Sequence, residues 1–149
     1  MNSNLHFRTA TAADVPLLAR LNRQLQEDER HRNIMEIAQI EPRMQKWLAG
    51  EYEGVVIEHD GAVVGYAIYQ REEDFIYLKQ FFVCRDARRR GIGRAAIDWL
   101  SANRWQDFPR VFLDALVQND TGLAFWRAVG FTDYCITMER PVTGTAGSY

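Results

Sequence analysis

The sequence is poor in cysteine, and its two thiols, Cys84 and Cys135, belong to no CxxC pair. No His/Cys cluster has the spacing of a zinc site, so neither a disulfide framework nor a metal centre is expected, and a reduced, cytoplasmic compartment fits best. Long hydrophobic runs are also missing: nowhere do about 18 apolar residues follow one another. Residues 1–8 lack the basic start and apolar stretch of a signal peptide, which argues against secretion and against a membrane partner. Excess charge of either sign is absent too, the formal net charge being -2. Without a global positive field there is no case for nucleic acid, and any anion site must be local.

What is present is enough for one core. A chain of 149 residues with 47% hydrophobic side chains buries about two-thirds of its unfolded surface, so a single domain over residues 1–149 is expected, with a frayed Gly/Ser/Thr-rich tail at 143–149. Residues 5–9 read as a strand. Val15, Leu18, Leu21 and Leu25 have helical spacing, and a second helical region over 32–49 is expected to break near Pro42. β-Branched runs at 55–57 and 63–69 flank the turn His59-Asp60-Gly61 and read as a hairpin. A strand over 75–83, a helix over 91–104, a strand over 110–117, a helix over 122–129 and a strand over 131–139 complete a mixed α+β order, βααββ followed by βαβαβ.

The strongest signal lies where the strand ending at Val83 runs into Arg88, Arg89, Arg90, Gly91, Ile92, Gly93 and Arg94. Glycine lets backbone approach an anion, and the first amides of a helix have no internal partner and sit at the positive end of its dipole. A pyrophosphate satisfies both, and arginines on the rim add charge-assisted bonds. A GxG turn alone also fits an ordinary bend, and an arginine run fits a solvated face. The wider pattern is more specific. Arg88-x-x-Gly91-x-Gly93 resembles the R/Q-x-x-G-x-G/A signature of the GNAT superfamily of N-acetyltransferases, and Asn119 with the helix ending in Gly130-Phe131 resembles that family's second signature. The match runs from Leu5 to Glu139.

The resemblance implies a mostly antiparallel, twisted central sheet of six to seven strands flanked by about four helices, with acetyl-CoA as cosubstrate. It places Phe81, Phe82 and Val83 beside the pantetheine arm, a backbone amide near Val83 on the thioester carbonyl, residues 88–94 on the pyrophosphate and Asn119 on the arm. Family members commonly reprotonate the departing thiolate with a tyrosine four residues before the Gly of the Gly-Phe pair. Trp126 stands there in this chain. An indole cannot act as that acid, so Trp126 is expected to be a wall of the channel, and Tyr134, Tyr77 or solvent must supply the proton. Asp28 and Glu29, between the first two helices, are candidates for holding a cationic acceptor, although acids beside Arg30 and Arg32 also fit a solvated helix end. Cys84 has no base nearby in sequence, and Cys135 reads as a buried small hydrophobe.

The expected function is acetyl transfer to a primary amine, on a small molecule or a protein, by direct attack in a ternary complex. The alternatives are a non-catalytic acyl-CoA sensor, motivated by Trp126, and a nucleotide-binding regulator, for which no Walker lysine or ribose-reading acid is evident. A homodimer is expected from the apolar surface of the last strand and the helices.

Overall fold

The structure, a computed structural model, describes residues 4–88 and 90–143. Along the chain run β1 (Leu5–Thr9), α1 (Val15–Asp28), α2 (Ile37–Ala49), β2 (Tyr52–His59), β3 (Ala62–Arg71), β4 (Ile76–Val83), α3 (Ile92–Asn103), β5 (Val111–Phe112) and α4 (Asp120–Ala128). Short 3-10 turns lie at Ala12–Asp14 and Arg85–Ala87. The strands form one sheet in the order β1-β2-β3-β4-β5. The first four pair antiparallel, and β4 pairs with β5 parallel.

Alternation along β3 sorts the two faces of the sheet. Tyr66 and Ile68 are buried with Leu18, Leu25, Ile40 and Met44 of α1 and α2, while Ala67 and Tyr69 are buried with Ile97 and Leu100 of α3. The β2–β3 register is set by the turn residues Asp60 and Gly61, whose φ values of +53° and +82° make the two-residue reversal that suits the twist of a hairpin. Helix α2 starts at Ile37, not near 32, because the Met35 amide is drawn to Gln26 Oε1 at 2.8 Å and the Glu36 amide to Gln39 Oε1 at 3.1 Å. The expected break at Pro42 does not occur. Ile40 and Met44, fully buried on either side of it, hold the helix against the core.

The sheet departs from expectation at its far edge. Only Val111–Phe112 of the expected 110–117 strand joins the ladder, and residues 131–139 form no ladder at all, which leaves five strands among the described residues instead of six to seven. The period-2 pattern of Tyr134, Ile136 and Met138 belongs to a strand that buries one face, yet these side chains are 72–83% exposed. A two-residue β5 offers too short an edge to pair with. Cys135 is exposed and not buried. Of the expected tail, residues 144–149 lie outside the described residues.

Candidate active site

The shortness of β5 makes the site. β4 pairs with it only through Ile76 and Tyr77, so beyond them the flank of β4 that faces away from β3 is unpaired, and a groove of about 580 Å3 opens beside Phe81, Phe82 and Val83. Leu25, Asp28 and Glu29 at the end of α1 form one wall, and Gly122, Phe125 and Trp126 of α4, with Val129 just after it, form the other. Those four positions follow the i, i+3, i+4, i+7 spacing of one helix face. Phe82 is 1% exposed, and its ring belongs to the core with the Arg88 guanidinium 5.2 Å from its centroid. The Cys84 amide donates to the Val64 carbonyl at 2.7 Å. Backbone groups alternate sides along a strand, so the amide and carbonyl of Val83 face the open side. Arg88 Nε donates to that carbonyl at 2.7 Å, and the neighbouring amide remains for a ligand.

The start of α3 borders the same groove. Gly91, the residue before its first turn, has φ +75° and no side chain caps the helix. The first intrahelical bond runs from Ala95 to the Gly91 carbonyl at 3.0 Å, so the amides of Ile92, Gly93 and Arg94 have no helical partner. Three unpaired donors at the positive end of a dipole fit a pyrophosphate. Gly93 serves a different purpose: a Cβ there would stand 2.9 Å from the Phe125 ring, so its absence lets α3 and α4 close together.

A model of the acetyltransferase (GNAT) family matches residues 18–131. The chain belongs to that family. No curated protein matches it in sequence. Among solved structures, the GNAT chain is similar to a possible acetyltransferase from Clostridium difficile 630, at 15% identity over 94% of this chain and 99% of that one, with a TM-score of 0.77. A predicted acetyltransferase from Clostridium acetobutylicum, solved with acetyl-CoA, gives 16% identity over 95% and 98% with a TM-score of 0.73. An aminoglycoside acetyltransferase from an uncultured soil metagenomic sample, in complex with sisomicin, gives 19% identity over 93% and 97% with a TM-score of 0.67. At these identities the likeness is one of fold.

The arginines of the GNAT loop are divided between tasks. Arg88 and Arg94 line the groove, Arg90 lines a separate cavity of about 330 Å3 with His59 and Cys84, and Arg89 lies outside the described residues. Arg94 Nη2 donates to the Ala128 carbonyl at 2.6 Å and so ties α3 to the end of α4. Arg88 and Arg85 both donate to the Asp28 carboxylate. Burial would raise that carboxyl, but the two guanidiniums outweigh it and hold Asp28 below the usual carboxylate range. Asp28 is thus neutralised by protein charge. A depressed pKa contributes stability that is present above the unfolded value and is lost as pH falls through the folded one. Asp28→Asn should cost about 1 kcal/mol at neutral pH, with the difference from native vanishing in acid melts. The same variant releases Arg88 and removes an anion from the wall, so calorimetry should record tighter CoA binding.

Glu29 has a different environment. Burial pushes its carboxyl up, and His31, whose Nε2 lies 3.0 Å from Glu29 Oε1, partly offsets that. The two meet because α1 ends in a reversal: the Arg30 amide donates to the Glu27 carbonyl at 3.2 Å and the His31 amide to the Gln26 carbonyl at 3.1 Å. Arg30 takes the left-handed position of that motif, φ +59°, at a cost of about 1 to 2 kcal/mol for a side-chain-bearing residue. Gln118 fastens it, with bonds of 3.5 and 3.4 Å between each side chain and the other's carbonyl.

Neither candidate tyrosine reaches the groove. Tyr77 stands where β4 meets β5 and its hydroxyl donates to Asp114 at 2.8 Å, while burial and that carboxylate push the phenol well above its ordinary range. Tyr134 is 79% exposed, its ring 5.1 Å from that of Phe112. Tyr77→Phe and Tyr134→Phe should each leave thiol release within about twofold of native, far from the loss of about 10² or more that follows removal of a general acid. Trp126 does line the groove, packed edge-on against Phe81, Phe125 and Phe131. Asn119 lines it too. Its Oδ1 accepts from the Gly122 amide at 3.1 Å and caps α4, which leaves its NH2 group for a ligand. Burial, and then Asp86, pushes the Cys84 thiol up, away from the thiolate form that a nucleophile needs.

Proposed function

We propose that this chain moves an acetyl group from acetyl-CoA to a primary amine in a ternary complex. The observation that carries the reading is the continuity of one groove from the uncapped start of α3 to the free Val83 amide. When bound, acetyl-CoA supplies an activated thioester. The amides of Ile92, Gly93 and Arg94 hold its pyrophosphate, Asn119 donates to the pantetheine arm, and Phe81 stacked on Phe125 at 5.9 Å walls the channel with Trp126. The Val83 amide stabilises the oxyanion that develops as the amine adds.

With Asp28 already paired, Glu29 is the groove carboxylate that attracts a cationic acceptor, and the sisomicin complex of the soil relative supports a small polyamine over a protein. Trp126 in place of the family's tyrosine favours the second reading, a non-catalytic acyl-CoA sensor. A thiol-release assay over aminoglycosides, polyamines, amino acids and basic peptides separates the two: release with an acetylated small cationic product is expected, and CoA binding without release from any amine would favour the sensor. The exposed residues Tyr134, Ile136 and Met138, the first with its ring 5.1 Å from that of Phe112 in β5, support a homodimer, whose mass light scattering reads directly.

A further inference from the structure

Two titratable side chains at the end of α1 run from the groove to solvent. Glu29 lines the groove and its side chain is 29% exposed, while His31, hydrogen-bonded to it, is 42% exposed. The left-handed Arg30 between them is clasped by Gln118, next to the groove residue Asn119, so the pair is fixed relative to both walls. Arg85 and Arg88 approach from the turn after β4 and Arg94 from α3, but the first two are spent on Asp28 and the third on Ala128. Tyr66 of β3 faces Glu29 as a neutral phenol, raised by burial and hydrogen-bonded to Asn22 and Gln80. Among the described groove residues, Glu29 is therefore the carboxylate that no arginine neutralises.

We propose that Glu29, backed by His31, is the base that takes the proton from the acceptor's ammonium group. The proposal rests on the acetyl-transfer reading. The N–H bond of the ammonium breaks to the Glu29 carboxylate, and His31 passes that proton to solvent. The freed lone pair forms the C–N bond at the thioester carbon. As the C–S bond breaks with its electron pair on sulfur, a second proton leaves the amine nitrogen and ends on the thiolate, so one amide, one free thiol and one released proton balance the reaction. His31 orients and relays. Glu29 touches the substrate.

The test compares native protein, Glu29→Gln, Glu29→Asp and His31→Asn by calorimetric CoA titration, by kcat/KM against pH with an amine that the native protein acetylates, and by melting without ligand. Glu29→Gln should bind CoA within about threefold of native, lose about 10² to 10⁴ in kcat/KM at neutral pH, and climb tenfold per pH unit towards the amine's own pKa. Glu29→Asp should recover part of the loss, and His31→Asn should lose less than Glu29→Gln. Because burial raises the Glu29 carboxyl, ionising it works against the fold as pH rises through the folded value. The melting temperature of Glu29→Gln should therefore gain on native as pH rises above the ordinary carboxylate value and through the raised folded one. A Glu29→Gln variant that binds CoA and keeps the native rate and pH profile overturns the proposal while acetyl transfer stands. Native protein that fails to bind CoA overturns both.

Discussion

Gly91→Glu should abolish the stabilisation of the fold by CoA while leaving the fold itself intact. Gly91 sits at φ +75° where α3 begins, and a side chain there costs about 1 to 2 kcal/mol of strain. A carboxylate at a helix start recovers part of that, since it meets the same dipole and unpaired amides, by about 0.3 to 1 kcal/mol. The stability loss is therefore small against the 5 to 15 kcal/mol typical of a domain. For the ligand, those compensations are losses. The new carboxylate occupies the donors that a pyrophosphate needs and repels its charge. Native protein with CoA at about 100 times its Kd should gain about 2.7 kcal/mol, read as a rise in melting temperature, and Gly91→Glu should show no rise. Gly91→Ala pays only the strain and should keep most of the shift. Retained CoA stabilisation in Gly91→Glu would remove the start of α3 from the binding site.

Gly65→Ala should produce the largest stability loss of any single methyl added to the sheet. Gly65 lies opposite Val83, and a Cβ on it would stand 2.2 Å from the Phe82 carbonyl oxygen and 3.2 Å from the Val83 Cα. All these atoms are backbone. No rotamer relieves the clash, so β3 and β4 must part where β4 presents the Val83 amide. Overpacking of this kind costs about 3 kcal/mol or more. For a chain of this size that is about 10 °C in Tm. Turnover should fall further than the lost stability explains, because the oxyanion donor moves with the strand. An unfolding free energy from denaturant titration within about 0.5 kcal/mol of native would show that the two strands do not approach as described.

Much of this was legible in local pattern. The period-2 runs of β2 and β3, the Asp-Gly turn and the Gly91 helix start each follow from residues close together in sequence. The partition of the arginines was not. Whether Arg88 reaches a ligand or Asp28 depends on where α1 ends, sixty residues earlier, and only the tertiary arrangement brings them together. For the same reason Asp28 and Glu29, adjacent and alike in sequence, have opposite environments. Gly122 and Phe125 of α4 and Val129 just after it also line the groove, and their helical spacing with Trp126 is the sequence signal that identifies them. The tyrosines mislead differently: Tyr134 and Ile136 alternate like a buried strand, but the two-residue β5 gives them no ladder to join, and they stay exposed.

The central claim is that the groove between β4 and α4 is a CoA site. Titrating the native protein with CoA in a calorimeter tests it most directly. Saturable binding with one CoA per chain is expected, lost in Gly91→Glu and strengthened by Asp28→Asn; no heat of binding, or binding that neither substitution changes, would contradict it.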